Sequence, residues 1–313
     1  MSIGFVFPGQ GSQSVGMLAT MAADYVDIER TFAEASEVLG FDLWQLVQNG
    51  PEDSLNKTTN TQPAMLVAGV AVWRVWQSRG GPLPDYVAGH SLGEYTALVC
   101  AQAIEFKEAV QLVADRGRFM QQAVPIGEGA MAAIMGLDDD AVRQVCEEVA
   151  AGDILAPVNF NAPGQVVVAG NTAAVERVVD QAKSAGARRA VLLPVSGPFH
   201  SALMHPAAVH MAERLRRTDI RNPQIPVIHN SHVEMETDPG AIRNVLVQQI
   251  ESPVRWVETI QKMVALGVDT VVECGPGKVL AGLNKRIARD ARSLAVSDSD
   301  SLATALSAVA EDA

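Results

Sequence analysis

Gly89-His90-Ser91-Leu92-Gly93 follows a short apolar run, Tyr86-Val87-Ala88, and opens a helical stretch over residues 92–103 that is apolar at Leu92, Tyr95, Ala97, Leu98 and Val99. Strand, G-x-S-x-G, helix is the order of a nucleophile elbow, a sharp turn that carries the serine hydroxyl clear of the backbone. Glycines belong on either side because such a turn leaves no room for side chains beside the serine. The five letters alone arise by chance in roughly one chain of this length in ten. The strand before them and the helix after them give the pattern its weight. Ser91 is therefore a candidate nucleophile, with the Leu92 amide aimed at whatever Ser91 attacks.

Outward from the elbow, Ile3-Gly4-Phe5-Val6-Phe7 reads as a buried strand ending in the tight run Pro8-Gly9-Gln10-Gly11-Ser12-Gln13. Helices are expected over about residues 16–39, 61–77 and 106–124, and Pro125-Ile126-Gly127-Glu128-Gly129 breaks the pattern. The next seventy or so residues read as strand (130–136), helix with an acidic first turn (138–151), strand (154–160), a turn at Asn161-Ala162-Pro163-Gly164, and strand (165–169). A helix capped by Asn171 and running to 185 and a strand over 189–195 complete the set. That β-α-β-β-α-β order is ferredoxin-like. Residues 127–196 are accordingly expected to form a small inserted subdomain, and 1–126 with 197–313 a larger, discontinuous α/β domain. Beyond Ser201, helices alternate with short apolar runs over 225–229, 268–272 and 293–296, which favours a mostly parallel sheet with helices on both faces.

The 313 residues can bury a substantial core, and 48% hydrophobic with 19% charged residues is ordinary for a globular enzyme. No apolar run reaches the length of a membrane span, and the first residues do not read as a signal segment. Three scattered cysteines (Cys100, Cys146 and Cys274) argue against a disulfide framework and fit a reducing cytoplasm. A net charge of −12 argues against nucleic acid, which needs concentrated Lys and Arg.

Several patterns fail on their chemistry. Gly9-Gln10-Gly11-Ser12-Gln13-Ser14 begins like a dinucleotide loop, but Ser14 stands where close packing wants glycine or alanine. Gly277-Lys278 resembles the end of a phosphate loop, yet Val279 replaces the magnesium-binding hydroxyl. His200, His205 and His210 are five apart, which spreads them around a helix, and His229 and His232 read as solvated residues of a polar loop. Cys100 reads as a small core residue. No metal or cofactor is implied. Ser91 needs a base. His90 is adjacent but points away in a tight turn, whereas His200, in Pro194-Val195-Ser196-Gly197-Pro198-Phe199-His200, lies where the chain leaves the insert, at a junction of the kind that lines clefts. A capping or surface role for His200 is the alternative.

Phe7-Pro8-Gly9-Gln10-Gly11-Ser12-Gln13, Gly89-His90-Ser91-Leu92-Gly93-Glu94, Arg116 before Arg118-Phe119-Met120, and His200 after its Pro-Val-Ser run together resemble the malonyl-CoA:acyl carrier protein transacylase family. So do Asn159-Phe160-Asn161-Ala162-Pro163-Gly164-Gln165, Gln249 with Ser252-Pro253-Val254-Arg255-Trp256, and Glu273-Cys274-Gly275-Pro276-Gly277-Lys278-Val279-Leu280. The ordered blocks span residues 5 to about 286. The resemblance implies an α/β-hydrolase-like core with a ferredoxin-like insert, and a malonyl group passed from malonyl-CoA through Ser91 to the phosphopantetheine thiol of acyl carrier protein. It implies His200 as base, Gln10 and Leu92 amides as oxyanion hole, Arg116 as the grip on the substrate carboxylate, and Gln249 orienting His200 through its backbone carbonyl. Phe199, by likeness to acyltransferases of polyketide assembly lines, favours an unbranched malonyl unit, although Gly197-Pro198 departs from their pattern. No cofactor of its own is implied, since the phosphopantetheine belongs to the partner. Other expectations are a cytoplasmic monomer supplying fatty acid biosynthesis, with a polyketide pathway or a serine hydrolase as alternatives. A basic patch for an acidic carrier is expected at Lys285, Arg286 and Arg289, or at Arg214, Arg216 and Arg217. From the residues alone, the favoured reading of Arg116 is a surface arginine paired with Asp115 or Glu108.

Overall fold

The structure is a computed structural model that describes residues 2–310. Its nine strands are β1 (Ile3–Phe7), β2 (Tyr86–Gly89), β3 (Gly129–Met135), β4 (Leu155–Ala162), β5 (Gln165–Asn171), β6 (Arg189–Leu192), β7 (Val227–Ile228), β8 (Thr270–Cys274) and β9 (Arg292–Val296). Five of them form one sheet in the order β7-β2-β1-β8-β9, every pairing parallel. All residues of β1 and β8 are buried, as central strands covered on both faces should be. Phe5 meets Trp73 and Trp76 of helix Thr58–Ser78 edge-on at 5.5 and 5.0 Å. That contact seats the longest helix on the sheet.

The other four strands form an antiparallel sheet in the order β4-β5-β3-β6, drawn wholly from residues 129–192. Its two central strands carry unbroken apolar runs, Ala130–Met135 and Val166–Ala169, for a reason. Ala132, Ile134, Val166 and Val168 face helices Asp139–Ala150 and Thr172–Ser184, whereas Met131, Ala133, Val167 and Ala169 face the core of the parallel sheet. Alternate side chains leave a strand on opposite faces, so this sheet is packed on both. Its edge strand β4 is tied to the rest of the chain by hydrogen bonds between Val158, Phe160 and Val254, at 2.8 and 3.0 Å.

Register places the site. Phe7 pairs with Gly89 and Ala88 with Ile228, so the chain leaves β1, β2 and β7 side by side at the carboxyl edge, where α/β sheets bind ligands. Helix Gly93–Cys100 starts hard against that edge. A Cβ on Gly93 would lie 2.0 Å from the Phe7 carbonyl oxygen, and one on Gly89 would lie 1.9 Å from the Gly93 carbonyl carbon. The elbow glycines answer to space rather than to backbone conformation.

Some elements differ from the sequence reading. The helix expected over 16–39 is two, Ala19–Asp24 and Val26–Leu39, because Tyr25 is extended between them. Helices Leu43–Asn49 and Glu52–Leu55 are short and were not anticipated. Asn171 does not cap its helix with its side chain, which instead accepts the Ile154 N–H at 2.8 Å. Strand β6 stops at Leu192, two residues before Pro194, which has no N–H to offer a ladder. The sheet expected to be mostly parallel is parallel throughout. Among the described residues no helix is long and apolar enough to cross a membrane.

Two glycine substitutions test the packing in opposite directions. Gly93→Ala should lower unfolding stability by at least about 1–3 kcal/mol, the usual effect of overpacking. Gly282→Ala, on an exposed face of helix Val279–Ile287 with no atom within 4 Å of the added Cβ, should raise it by about 0.4–1 kcal/mol. Chemical denaturation midpoints measure both; a neutral Gly93→Ala would contradict the close approach.

Candidate active site

Ser91 and His200 both occupy the left-handed backbone region, at φ 52° and 64°. Such conformations are held by surrounding structure and cluster at functional sites. Ser91 Oγ lies 2.7 Å from His200 Nε2, and His200 Nδ1 lies 2.8 Å from the Gln249 backbone oxygen. A carbonyl can only accept, so Nδ1 carries the proton and Nε2 presents its lone pair to the serine hydroxyl. Among the described residues neither the Leu92 nor the Gln10 amide N–H has a protein acceptor. Both residues line a cavity of about 190 Å³ with Ser91, His200, Arg116 and Phe199. Met131, Val167 and Leu193 close its opposite wall from the antiparallel sheet and the chain just after it.

Arg116 reaches this cavity because its helix, Phe106–Gln122, packs tightly on helix Thr58–Ser78. Gly117 permits the approach: a Cβ there would sit 2.7 Å from the Thr58 carbonyl oxygen. The guanidinium is 1% exposed and donates to Gln62 Oε1 at 2.9 Å and Gln249 Oε1 at 2.8 Å, with its second terminal nitrogen 3.3 Å from Ser91 Oγ. The Tyr95 ring lies 5.3 Å from its central carbon. Among the described residues it forms no ion pair. Asp115 and Glu108 bind Arg214 instead, at 2.8 and 2.9 Å, which disposes of the surface pairing considered for Arg116 and removes Arg214 from the free basic residues. Burial lowers the Arg116 pKa, but a guanidinium stays protonated in a protein. Burial, and then the Arg116 charge, pull the His200 pKa down to about 3, so the imidazole is neutral, with its Nε2 lone pair free, but a weaker base than an unperturbed histidine.

Behind the serine lies a buried polar network that the sequence reading missed. Glu94 is fully buried; its Oε1 meets His229 Nδ1 at 2.8 Å, and its Oε2 accepts from the Asn230 N–H at 2.9 Å and Gln249 Nε2 at 3.0 Å. Gln249 Nε2 also donates to the Ser91 carbonyl at 3.0 Å. His229 is therefore not a solvated loop residue: at 0% exposure it is held against a carboxylate in the interior. His232 is partly exposed and paired with Glu236. His90 is turned to Asn161 Oδ1 at 2.8 Å and its ring packs on Trp256, away from the serine hydroxyl. Cys100, Cys146 and Cys274 are free and buried, and no group of three or more His, Cys, Asp or Glu among the described residues is placed to hold a metal. For Asn230 a signal existed: it follows an apolar run that becomes a parallel strand, and the carboxyl ends of such strands carry sites. For Gln62, buried on a helix face, there was none, and Glu94 stood in the elbow block with nothing to mark its carboxylate as buried.

An elbow serine within hydrogen-bond reach of a neutral imidazole, at the carboxyl edge of a parallel sheet, is the arrangement of enzymes that transfer acyl groups through a serine ester. The sequence pattern of the acyl transferase domain matches residues 4–302, and the chain belongs to that family. It is 56% identical over 302 residues to the malonyl CoA-acyl carrier protein transacylase of Salmonella typhimurium, covering 96% of this chain and 98% of that one. The acyl carrier protein S-malonyltransferase structure from Vibrio cholerae superposes with a TM-score of 0.95 at 55% identity, covering 97% of this chain and all of that one. A malonyl-transacylase solved in complex with a type II polyketide acyl-carrier protein superposes with a TM-score of 0.97 at 55% identity, covering 98% and 100%.

Titration of the His200 ring tests the electrostatics directly. Followed by nitrogen NMR, it should stay neutral as pH falls through 6.5, where an unperturbed histidine is half protonated. Arg116→Gln removes a neighbouring cation and should raise the His200 pKa; an unchanged value would mean that burial acts alone. Because the folded state resists protonation here while the unfolded chain accepts it, this group's contribution to stability is full above about pH 6.5 and is lost as pH falls from there towards about 3.

Proposed function

We propose that this chain transfers the malonyl group of malonyl-CoA to the phosphopantetheine thiol of an acyl carrier protein, with Ser91 as nucleophile. His200 takes the Ser91 hydroxyl proton as Oγ bonds to the thioester carbonyl carbon. The Leu92 and Gln10 amides receive the oxyanion, and the carbon–sulfur bond breaks to release the coenzyme A thiolate, which recovers a proton from His200 or solvent. In the second half, the carrier's thiol gives its proton to His200 and attacks the ester, and Ser91 leaves with that proton returned. Gln249 holds His200 in the required tautomer through its backbone carbonyl. Phe199 narrows the acyl pocket towards an unbranched unit. The chain's own residues supply this chemistry without a cofactor. We place it in the cytoplasm as a monomer, serving fatty acid synthesis. A polyketide carrier is the second reading, favoured by the likeness to the transacylase solved with one.

Arg116 is the observation that carries the substrate assignment. A buried cation with no ion-pair partner among the described residues, 3.3 Å from the nucleophile's oxygen, is within reach of the free carboxylate of a three-carbon acyl group whose carbonyl sits at Ser91. A guanidinium can hold that carboxylate through two parallel hydrogen bonds, which a lysine cannot reproduce. A general esterase has no use for the charge.

Mass spectrometry after incubation with labelled malonyl-CoA should find the label on Ser91 and none in Ser91→Ala. Arg116→Ala should lose a charge-assisted contact of about 1.5–3 kcal/mol, reducing kcat/KM for malonyl-CoA roughly ten- to hundredfold without lowering that for acetyl-CoA, which gains a more basic His200. Arg116→Lys should recover only part of the preference. Equal losses for both thioesters would make the arginine structural and remove the main support for a dicarboxylate pocket.

The carrier needs a basic surface on an acidic enzyme. Lys285, Arg286 and Arg289 are exposed, and Arg286 reaches across to the Pro163 carbonyl and the Gln165 side chain, joining its helix to the β4–β5 turn. Arg188 is exposed beside that turn, packed against Gly136, whose N–H donates to Gly164. Reversing charge at Lys285 and Arg289 should lower kcat/KM for the carrier protein and flatten its salt dependence while sparing malonyl-CoA. Equal losses with both substrates would place the patch outside the docking surface.

A further inference from the structure

Asn230 follows β7 and is fully buried. Its side-chain amide spans the elbow: Oδ1 accepts the Ser91 N–H at 2.7 Å, and Nδ2 donates to the Gly89 carbonyl at 2.7 Å. The orientation of that amide is forced, because a backbone N–H only donates and a carbonyl only accepts. Asn230 is itself pinned. Its N–H donates to Glu94 Oε2 at 2.9 Å, its carbonyl accepts the Arg255 N–H at 3.2 Å, and the preceding His229 bonds the other Glu94 oxygen. Glu94 lies in the first turn of the helix that the elbow opens. A closed ring of hydrogen bonds thus runs from Gly89 and Ser91 through Asn230 to Glu94 and back along the chain.

The ring encloses a strained residue. Ser91 holds φ at 52°, a region where a Cβ crowds the following carbonyl at a cost of about 1–2 kcal/mol and which glycine, lacking one, adopts freely. Released, the serine would drift towards ordinary backbone angles and carry its hydroxyl with it. A displacement of about 1 Å at a reacting atom is enough to slow a reaction on the order of a hundredfold. We propose that Asn230 is a positioning residue of the transfer reaction, its amide locking the elbow so that Ser91 Oγ remains in line with His200 Nε2 and the Ser91 N–H is occupied, leaving the Leu92 N–H to face the developing oxyanion. Asn230 touches no substrate; it acts through Ser91. The inference rests on the acyl-transfer reading above.

Aspartate in this position is a switchable mimic. Ionised, it keeps an acceptor for the Ser91 N–H but sets a second oxygen against the Gly89 carbonyl; protonated, it restores the missing donor. Burial beside Glu94 raises such a carboxyl's pKa, which brings the change into a usable range. The experiment is rapid-quench measurement of malonyl-Ser91 formation from malonyl-CoA in the full chain, Asn230→Ala and Asn230→Asp, with steady-state kinetics and thermal melts alongside. Asn230→Ala should acylate roughly a hundredfold more slowly, with KM for malonyl-CoA changed by no more than about twofold. Asn230→Asp should be equally slow at about pH 8, and its rate relative to the unaltered chain at the same pH should rise roughly tenfold by about pH 5.5.

A lower melting temperature with an unchanged acylation rate overturns the proposal, because that is all a structural role predicts. So does an Asn230→Asp ratio that is flat with pH, which decides the matter alone should the alanine variant not fold. Absence of malonyl-Ser91 in the unaltered chain is a different failure, that of the acyl-transfer reading itself.

Discussion

A buried guanidinium with no ion-pair partner among the described residues is the constraint around which this site is arranged. Stripping a charge of water is expensive, and partners that hydrogen-bond it are the ordinary compensation. Arg116 has two glutamine oxygens, a tyrosine ring and the serine hydroxyl. The nearest carboxylate it can draw on stands one residue away: Glu94 receives the other end of the Gln249 amide whose oxygen Arg116 binds. Gln249 therefore relays between a buried cation and a buried anion, and its backbone carbonyl fixes the imidazole. A direct Arg116–Glu94 pair would satisfy the charge and close the pocket to a carboxylate. The relay leaves the cation balanced and still open.

The same charge acts on the base. Arg116 lowers the His200 pKa beyond what burial alone does. In the proposed reaction the malonyl carboxylate opposes that effect on arrival, so the imidazole becomes more basic when the right acyl group is in place and stays weak when it is not. Specificity and activation are then two readings of one electrostatic term. An acetyl group brings no anion and obtains neither the grip nor the stronger base.

Much of the framework was legible because local rules and global packing agree there. The elbow announces itself through Gly89 and Gly93, residues excluded from bearing a side chain by the Phe7 and Gly93 backbones. The order of elements over residues 129–192 carries the ferredoxin-like topology in its alternation alone. Ser91, His200 and Arg116 were singled out through the elbow and the family likeness, not through spacing, since they stand on different elements and converge only in three dimensions. The polar network was invisible for the same reason. Nothing in Gly93-Glu94-Tyr95 distinguishes a carboxylate that faces solvent from one that faces Asn230 and Gln249, and a His-Asn-Ser-His run looks like a wet loop until the short edge strand β7 draws it inside. Tyr25, which breaks a helix that periodicity would continue, shows tertiary packing overriding a local pattern.

The dyad lacks the carboxylate that supports histidine in many serine enzymes, and the leaving group explains why it can. An amide nitrogen must be protonated to depart, which makes a stabilised imidazolium valuable. A thiolate, with a conjugate pKa near 8.5, leaves with little help. In the proposed reaction the requirement on His200 is then to accept one proton from Ser91 and, in the return half, one from a thiol that is far more acidic than an alcohol. A carbonyl that sets the tautomer is sufficient for both. A carboxylate at Nδ1 would also stand close to Arg116 and compete with the substrate for it. The neutral Gln249 oxygen at 2.8 Å orients the ring without adding a charge to the pocket. In the proposed reaction that keeps Arg116 for the acyl group's own anion.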